Sequence, residues 1–379
     1  AAPCVRADGA VVRAPSRVRK TTAWSASPGR STPAAVARAQ DHPAHLHTYT
    51  DLWIVYGRFA PTIQGDPMWT PHRLRVVGAV GLCLSLVAVG ACTHAEDWRA
   101  SGTDDSAPIP TYDTGAIQPQ PDIIAMLPEG ALADGVLDVA AATDYPPAEF
   151  LDAGGAAVGY DVHLSQAIAR VLGVRAEVHT AEFDSIIAGV GTTYDAGISS
   201  FTVTRERTAA MNMIAYINVG SRFNVAAGNP KGIDPSDHLN LCGLTIGVQT
   251  GTAQEESINT FSQDCTKAGK PEIEVRSYST QSEATTALAG STLDAVYSDS
   301  TVAGYAVETT GGQVETVGEI EDALPQGIVL TKNDPALTKA IQAAVQYLMD
   351  SGIWQKILDA WGIEGAALTT AALNPPVEK

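Results

Sequence analysis

From about residue 132 the chain alternates short apolar runs with amphipathic stretches. Residues 136–142 are small and apolar, which predicts a buried strand. Asp161 stands where a helix cap is needed, ahead of Leu164, Ile168, Val171 and Leu172 on one face and a stop at Gly173. Residues 174–179 read as the next strand. Asp184 heads a short helix carrying Ile186, Ile187 and Val190, and 195–201 reads as a third strand. A second series begins near 244: strands at 244–248, 272–276 and 293–297, with helices from Gln254, over 281–288 and after 297. Residues 327–331 read as a further strand. Asp334 then caps, and Pro335 starts, a long helix with Leu337, Ile341, Val345 and Leu348 aligned. Ile353, Trp354, Ile357, Leu358 and Trp361 form another amphipathic segment. Strands alternating with helices argue for parallel α/β sheets, and two series argue for two lobes.

The N-terminal third has another character. Met68 is the first methionine; Arg73 and Arg75 follow, then an apolar run over 76–90 and Val89-Gly90-Ala91-Cys92. A basic start, a short apolar core and small residues before a cysteine make 68–91 a lipoprotein-type signal peptide, with Cys92 as the lipidated residue. A membrane-spanning anchor is the other reading, although the run is short of the roughly 20 residues a span needs. Residues 1–67 precede this signal, lack Met and show no sustained apolar period, so they read as a leader from a misassigned start. Residues 92–130 read as lipidated Cys plus flexible tether, and 364–379 as a frayed tail.

Cysteine use follows. Cys4 lies in the leader, Cys83 in the signal and Cys92 at the lipid site, which leaves Cys242 and Cys265 in a chain exported to an oxidising space. They form a disulfide, or else two buried thiols. The net charge is −18, and from residue 93 onward 14 Lys and Arg face 38 Asp and Glu. Such a surface repels nucleic acid and anionic lipid. No spacing points to a metal or a cofactor.

The chemistry concentrates in Ser199-Ser200-Phe201-Thr202-Val203-Thr204-Arg205-Glu206-Arg207. Hydroxyls and backbone N–H groups after a strand, then a guanidinium, suit a carboxylate. Turn chemistry and a solvated Arg are the alternative.

Six segments in order resemble the bacterial extracellular solute-binding proteins of family 3, the substrate-binding lipoproteins of polar amino acid ABC transporters. They are Asp144-Tyr145-Pro146-Pro147-Ala148-Glu149-Phe150; Gly159-Tyr160-Asp161-Val162; Phe183-Asp184-Ser185-Ile186-Ile187; the Ser199–Arg207 stretch; Gly247-Val248-Gln249-Thr250-Gly251-Thr252; and Leu293-Asp294-Ala295-Val296-Tyr297-Ser298-Asp299. The resemblance implies a two-lobe periplasmic-binding-protein type 2 fold. In it two mixed sheets flanked by helices are joined by two hinge strands, with lobe 1 at 131–223 plus 327–363 and lobe 2 at 228–322. It implies an amino acid ligand, an ABC permease as partner, a monomer, and attachment to the outer face of the cell membrane through Cys92.

By the same resemblance Arg207 takes the ligand carboxylate, helped by Thr202 and the Thr252 N–H. Asp299 takes the ammonium with the Ser200 carbonyl, unless it only caps a helix. Ser199 and Gln249 line the site. Tyr145 and Phe183 are aromatic walls, unless they are ordinary core. Family members that bind cationic amino acids carry an acid where this chain has Ala142, so glutamine or glutamate is favoured over lysine or arginine unless Asp144 or Glu149 turns inward. Two rivals stay open: a secreted dehydratase of the cyclohexadienyl type, with Glu149 as general acid, and a receptor ectodomain.

Overall fold

The computed structural model describes residues 108–377. The leader at 1–67, the signal at 68–91, Cys92 and the tether up to 107 lie outside the described residues.

Eleven strands and nine α-helices appear among the described residues. The first half runs α1 (Pro121–Ile124), β1 (Val136–Ala141), β2 (Asp144–Tyr145), β3 (Glu149–Leu151), β4 (Ala157–Val158), α2 (Tyr160–Val171), β5 (Arg175–Thr180), α3 (Phe183–Gly189), β6 (Ala196–Gly197) and α4 (Arg205–Ala210). The long β7 (Asn212–Ala226) leads to β8 (Thr245–Gln249), α5 (Ala253–Lys267), β9 (Glu274–Tyr278), α6 (Gln281–Ala289), β10 (Ala295–Asp299) and α7 (Ser300–Thr309). The equally long β11 (Val314–Leu330) returns to α8 (Pro335–Asp350) and α9 (Ile353–Ala360).

The main sheet has the order β5-β1-β6-β11-β7-β10-β8-β9. β1 is parallel to β5 and β6, and β8 is parallel to β9 and β10, as helical crossovers between neighbouring strands require. Antiparallel β7 and β11 belong to both lobes. Near one end β11 pairs with β6 at Val329–Gly197; near the other β7 pairs with β10 from Ser221 to Val225. The ladder is therefore continuous through these two crossing strands. Register shifts at Val317/Glu321, Glu321/Leu324 and Gln326/Gly327 interrupt their pairing.

Each lobe has its own core. Leu164, Ile168, Ile341, Val345, Leu348 and Trp354 pack on one end of the sheet, with Trp354 Nε1 donating to the Tyr216 carbonyl at 2.8 Å. Phe223, Ile246, Val248, Ile258 and Tyr297 fill the other. Asp334 caps α8 as expected, its Oδ1 accepting from the Leu337 N–H at 2.9 Å.

Several expectations are corrected. Asp161 and Asp184 lie inside the first turns of α2 and α3 and cap neither, because the preceding residues Gly159 and Glu182 hold the cap positions. Of the strand expected over 195–201, only Ala196–Gly197 is regular; the rest is irregular. Residues 108–130 are not a free tether. Ile117 is buried, Gln120 N–H donates to the Val171 carbonyl, and Ile109, Tyr112, Ile123 and Leu127 pack against the first core. Nor does the tail fray at 365. Residues 367–374 lie along the part of β7 not covered by β10, through bridges Ile217–Ala367 and Ile214–Leu373. They supply partners to backbone that would otherwise form an open edge. Among the described residues no helix is long and apolar enough to cross a membrane.

Candidate functional site

Arg207 lies on α4, whose start is capped by Thr204: the hydroxyl accepts from the Arg207 N–H at 3.1 Å. One turn of helix aims the guanidinium back over its own loop. Nη1 donates to the Thr202 carbonyl at 2.8 Å, and Nη2 donates to the Gly251 carbonyl of the opposite lobe at 3.0 Å. The charge sits over the Phe183 and Phe201 rings, 5.6 and 5.4 Å from their centroids, and the rings stack at 4.6 Å. Burial pulls Arg207 down to about 10, with Asp299 opposing, so it remains a cation at neutral pH.

Asp299 ends β10 at the N-cap position of α7, yet its side chain caps nothing. Its Oδ1 accepts from Gln254 Nε2 at 2.8 Å and its Oδ2 from Gln326 Nε2 at 2.7 Å. Its own N–H donates to the Tyr145 hydroxyl at 3.2 Å, across the two lobes. Burial pushes Asp299 up to about 7, although the Tyr145, Gln326 and Gln254 bonds favour its ionised form.

A second acidic centre lies in lobe 1. Gly159, at φ +134°, lets the chain entering α2 pass against β3; a Cβ there would stand 2.0 Å from the Ala148 carbonyl oxygen. This close approach is sealed by the Asp161 N–H donating to that carbonyl at 2.9 Å, and it places Glu149 and Asp161 side by side. Glu149 is wholly buried. Its Oε1 accepts from the Ser199 hydroxyl at 2.5 Å, and the same hydroxyl accepts from the Ala142 N–H at 3.0 Å. Asp161 Oδ2 accepts from the Ser200 N–H, the Ser200 hydroxyl and the Tyr216 hydroxyl at 2.8, 3.2 and 2.7 Å. These bonds hold Ser200 at φ +50°, a conformation that costs a non-glycine residue free energy. Burial and then the Asp161 charge raise Glu149 well above the carboxylate range; burial raises Asp161 to about 6, with its hydrogen bonds opposing. Asp144 reaches across the cleft to the Gln281 N–H at 2.7 Å and is raised by burial to about 6.

The structure thus brings Tyr145, Phe183, Ser199, Ser200, Thr202, Arg207 and Asp299 around one interlobe junction. The hydroxyls of two of the expected site residues are already engaged. Ser199 spends its hydroxyl on Glu149. Thr252 caps α5, accepting from the Glu255 N–H at 3.1 Å and donating to the Gln249 carbonyl at 2.7 Å. Gln249 is buried, with Nε2 donating to the Ser279 carbonyl at 3.2 Å. Sequence reasoning missed Gln254 and Gln326 as supports of Asp299, and Asp161 as the anchor of Ser200. Gln326 stands between Pro325 and the apolar run 327–330, where the sequence carries no signal for it.

Four buried side-chain atoms have no hydrogen-bond partner among the described residues: Glu149 Oε2, Asp161 Oδ1, Gln249 Oε1 and Gln326 Oε1. The two amide oxygens are acceptors that call for donors, because buried polar atoms are nearly always paired; the two carboxyl groups, Glu149 and Asp161, are neighbours that interact with each other. A cavity of about 250 Å³ adjoins Arg207, and one of about 650 Å³ lies beside Thr202 and Gln254. The smaller is lined by Ile187, Gly251 and Thr252, the larger by Thr202, Ser221, Gln254 and Leu324. No group of three His, Cys, Asp or Glu among the described residues could hold a metal ion.

The sequence model of the bacterial extracellular solute-binding proteins, family 3, matches residues 137–364. The arginine-binding protein ArgT of Corynebacterium glutamicum is 33% identical over 302 residues, 79% of this chain and 95% of that one. An ancestral arginine-binding protein solved with arginine bound superposes with a TM-score of 0.55 at 30% identity, covering 60% of this chain and 98% of its own. The ancestral amino acid-binding protein AncCDT-1, a precursor of cyclohexadienyl dehydratase, gives 0.55 at 26% identity, over 61% and 96%.

Proposed function

Since the chain belongs to the bacterial extracellular solute-binding proteins of family 3, we propose that it captures a free amino acid with a cationic side chain, arginine above all, and presents it to an ABC-type importer. The observation that carries this reading is the buried acidic centre of Glu149 and Asp161, held through Ser199 and Ser200 on the loop that leads to Arg207. Arginine brings what these acids lack: an ammonium and a guanidinium with five N–H donors. The similarity to ArgT supports the same ligand.

Each part of the ligand has a receptor. Arg207 exchanges two neutral carbonyl acceptors for the ligand carboxylate, gaining a charge-assisted and bidentate pair. Asp299 takes the ammonium. Glu149 takes the cationic head. Sequence comparison made a cationic ligand depend on Asp144 or Glu149 turning inward; Glu149 is fully buried, and its carboxyl is joined through the Ser199 hydroxyl to the backbone of Ala142, the position lacking the family's acid. Burial favours the neutral form of Glu149, and a cationic head beside it would favour the ionised form. Closure about β7 and β11 then carries the occupied state to the permease. A lipid on Cys92 holds the protein at the outer membrane face. Mass analysis of the membrane-extracted chain should find it beginning at a modified Cys92, and an unmodified Cys92 would remove the anchor.

A second reading draws on the raised Glu149, which suits a general acid in a dehydratase of this fold. Product formation from prephenate or arogenate would favour it. The deciding experiment for the first reading is a thermal-shift and calorimetric screen against the twenty amino acids. Arginine should give the largest stabilisation, with lysine next. Strongest binding of glutamine or glutamate would overturn the cationic assignment, and no response to any amino acid would overturn the reading as a whole.

A further inference from the structure

We propose that Gln326, a residue of the crossing strand β11, is a second acceptor for the ligand ammonium and ties that group to the hinge. This rests on the amino acid reading of the site. Gln326 is wholly buried and lies where three parts of the molecule meet. It forms an isolated bridge with Thr202 of lobe 1, flanked by backbone bonds from Val203 to the Pro325 carbonyl and from Gly327 to the Phe201 carbonyl, both 2.8 Å. Its side chain reaches Asp299 of lobe 2 at 2.7 Å. The pairing of β11 with β7 breaks register between Gln326 and Gly327, and a bulge of this kind re-aims a side chain out of the ladder.

An ammonium on Asp299 requires the ionised carboxylate, which only accepts, so in the occupied site Nε2 of Gln326 faces Asp299 and Oε1 points elsewhere. That oxygen is buried and unpaired. An ammonium seated on Asp299 has N–H groups left to place, and Gln326 Oε1, on the amide bonded to Asp299, is a buried acceptor without a donor. Gln254 supports the other Asp299 oxygen from α5, so the two glutamines differ: one belongs to lobe 2, while the other sits on the crossing strand β11. Binding the ammonium thereby engages the hinge strand as well as lobe 2.

The test compares the amino acid that the wild-type protein binds with its α-deamino analogue, which for arginine is 5-guanidinopentanoate. Calorimetry is run on the wild type, Gln326→Met and Gln326→Glu. The Met variant should lose about tenfold or more for the amino acid and much less for the analogue, since one buried hydrogen bond to a charged group is removed. The Glu variant keeps an acceptor oxygen and should retain more of the preference for the amino acid. Equal losses for both ligands in Gln326→Met would reduce Gln326 to a structural support. If that variant does not fold, a Glu variant with no preference for the amino acid over its analogue refutes the proposal. Failure of the wild type to bind any amino acid would overturn the site reading and this inference together, whereas equal losses overturn only the inference.

Discussion

Arg207 and Gly251 meet across the cleft, the guanidinium Nη2 of one lobe donating to the carbonyl oxygen of the other at 3.0 Å. The contact joins α4 to the loop before α5, so the residue assigned to the ligand carboxylate also clasps the lobes together. Its neutral partners are ones a carboxylate can displace. Arg207→Ala should therefore abolish tight binding and leave the fold intact, because neither core contains it. Loss of one half of a buried charged pair costs about 2–5 kcal/mol, roughly 30-fold to several thousandfold in affinity. Titration calorimetry reads this directly, and near-wild-type affinity would remove Arg207 from the site.

Glu149→Gln tests the cationic head. The amide keeps the volume and can still accept from Ser199, so the loop carrying Ser200 should hold. What is lost is the charge. Arginine affinity should fall at least about 30-fold, while glutamine affinity should change little or improve. A parallel fall for both ligands would mean that Glu149 only shapes the loop.

The order of elements was legible because it rests on local signals. Asp334 and Pro335 opened α8 as read, and Gly173, at φ +75°, lies just past α2 as the stop signal required. The failures share a cause. Asp161 looks like a cap, but Ser200 and Tyr216, 39 and 55 residues away, claim its carboxylate. The long β7 escaped notice because both its faces are largely buried, so it lacks alternation, and Asn212, Asn218, Arg222 and Asn224 interrupt its apolar run. The candidate site divides in the same way. Arg207, Asp299, Tyr145 and Phe183 stood in recognisable motifs. Gln254 and Gln326 stood in none, since their value arises only where β11, α5 and β10 converge on one carboxylate.

Cys242 and Cys265 are brought together with Cα atoms 5.6 Å apart, linking the turn before β8 to α5. We propose that they are bonded in the exported protein. The loop they close is short, 23 residues in separation, and the loop-entropy model puts its stabilisation at about 3 kcal/mol. Replacing both with Ser should lower the melting temperature without changing ligand affinity, because the pair lies in the lobe 2 core away from Arg207. Two freely alkylated thiols in the non-reduced, exported protein would refute the bond.

Ligand and protons should compete at this site. Burial, the leading cause each time, raises Asp144 and Asp161 from an ordinary 3.8 to about 6 and Asp299 to about 7. A carboxyl raised in this way holds its proton more tightly in the folded chain than in the unfolded one. The stability it contributes is complete below about pH 3.8 and is lost as pH climbs through 6 to 7. The empty protein should accordingly melt lower at pH 8 than at pH 5, and the self-repulsion of a chain of net charge −18 acts in the same direction. Arginine reverses the balance. Its positive groups favour the ionised carboxylates, so it gains most where the protons have already left. The rise in melting temperature at saturating arginine should be larger at pH 8 than at pH 5. Binding near pH 6 should release protons, visible as a calorimetric enthalpy that changes with the ionisation enthalpy of the buffer. A stabilisation that is instead larger at pH 5, with no buffer dependence, would mean that these acids do not face the ligand.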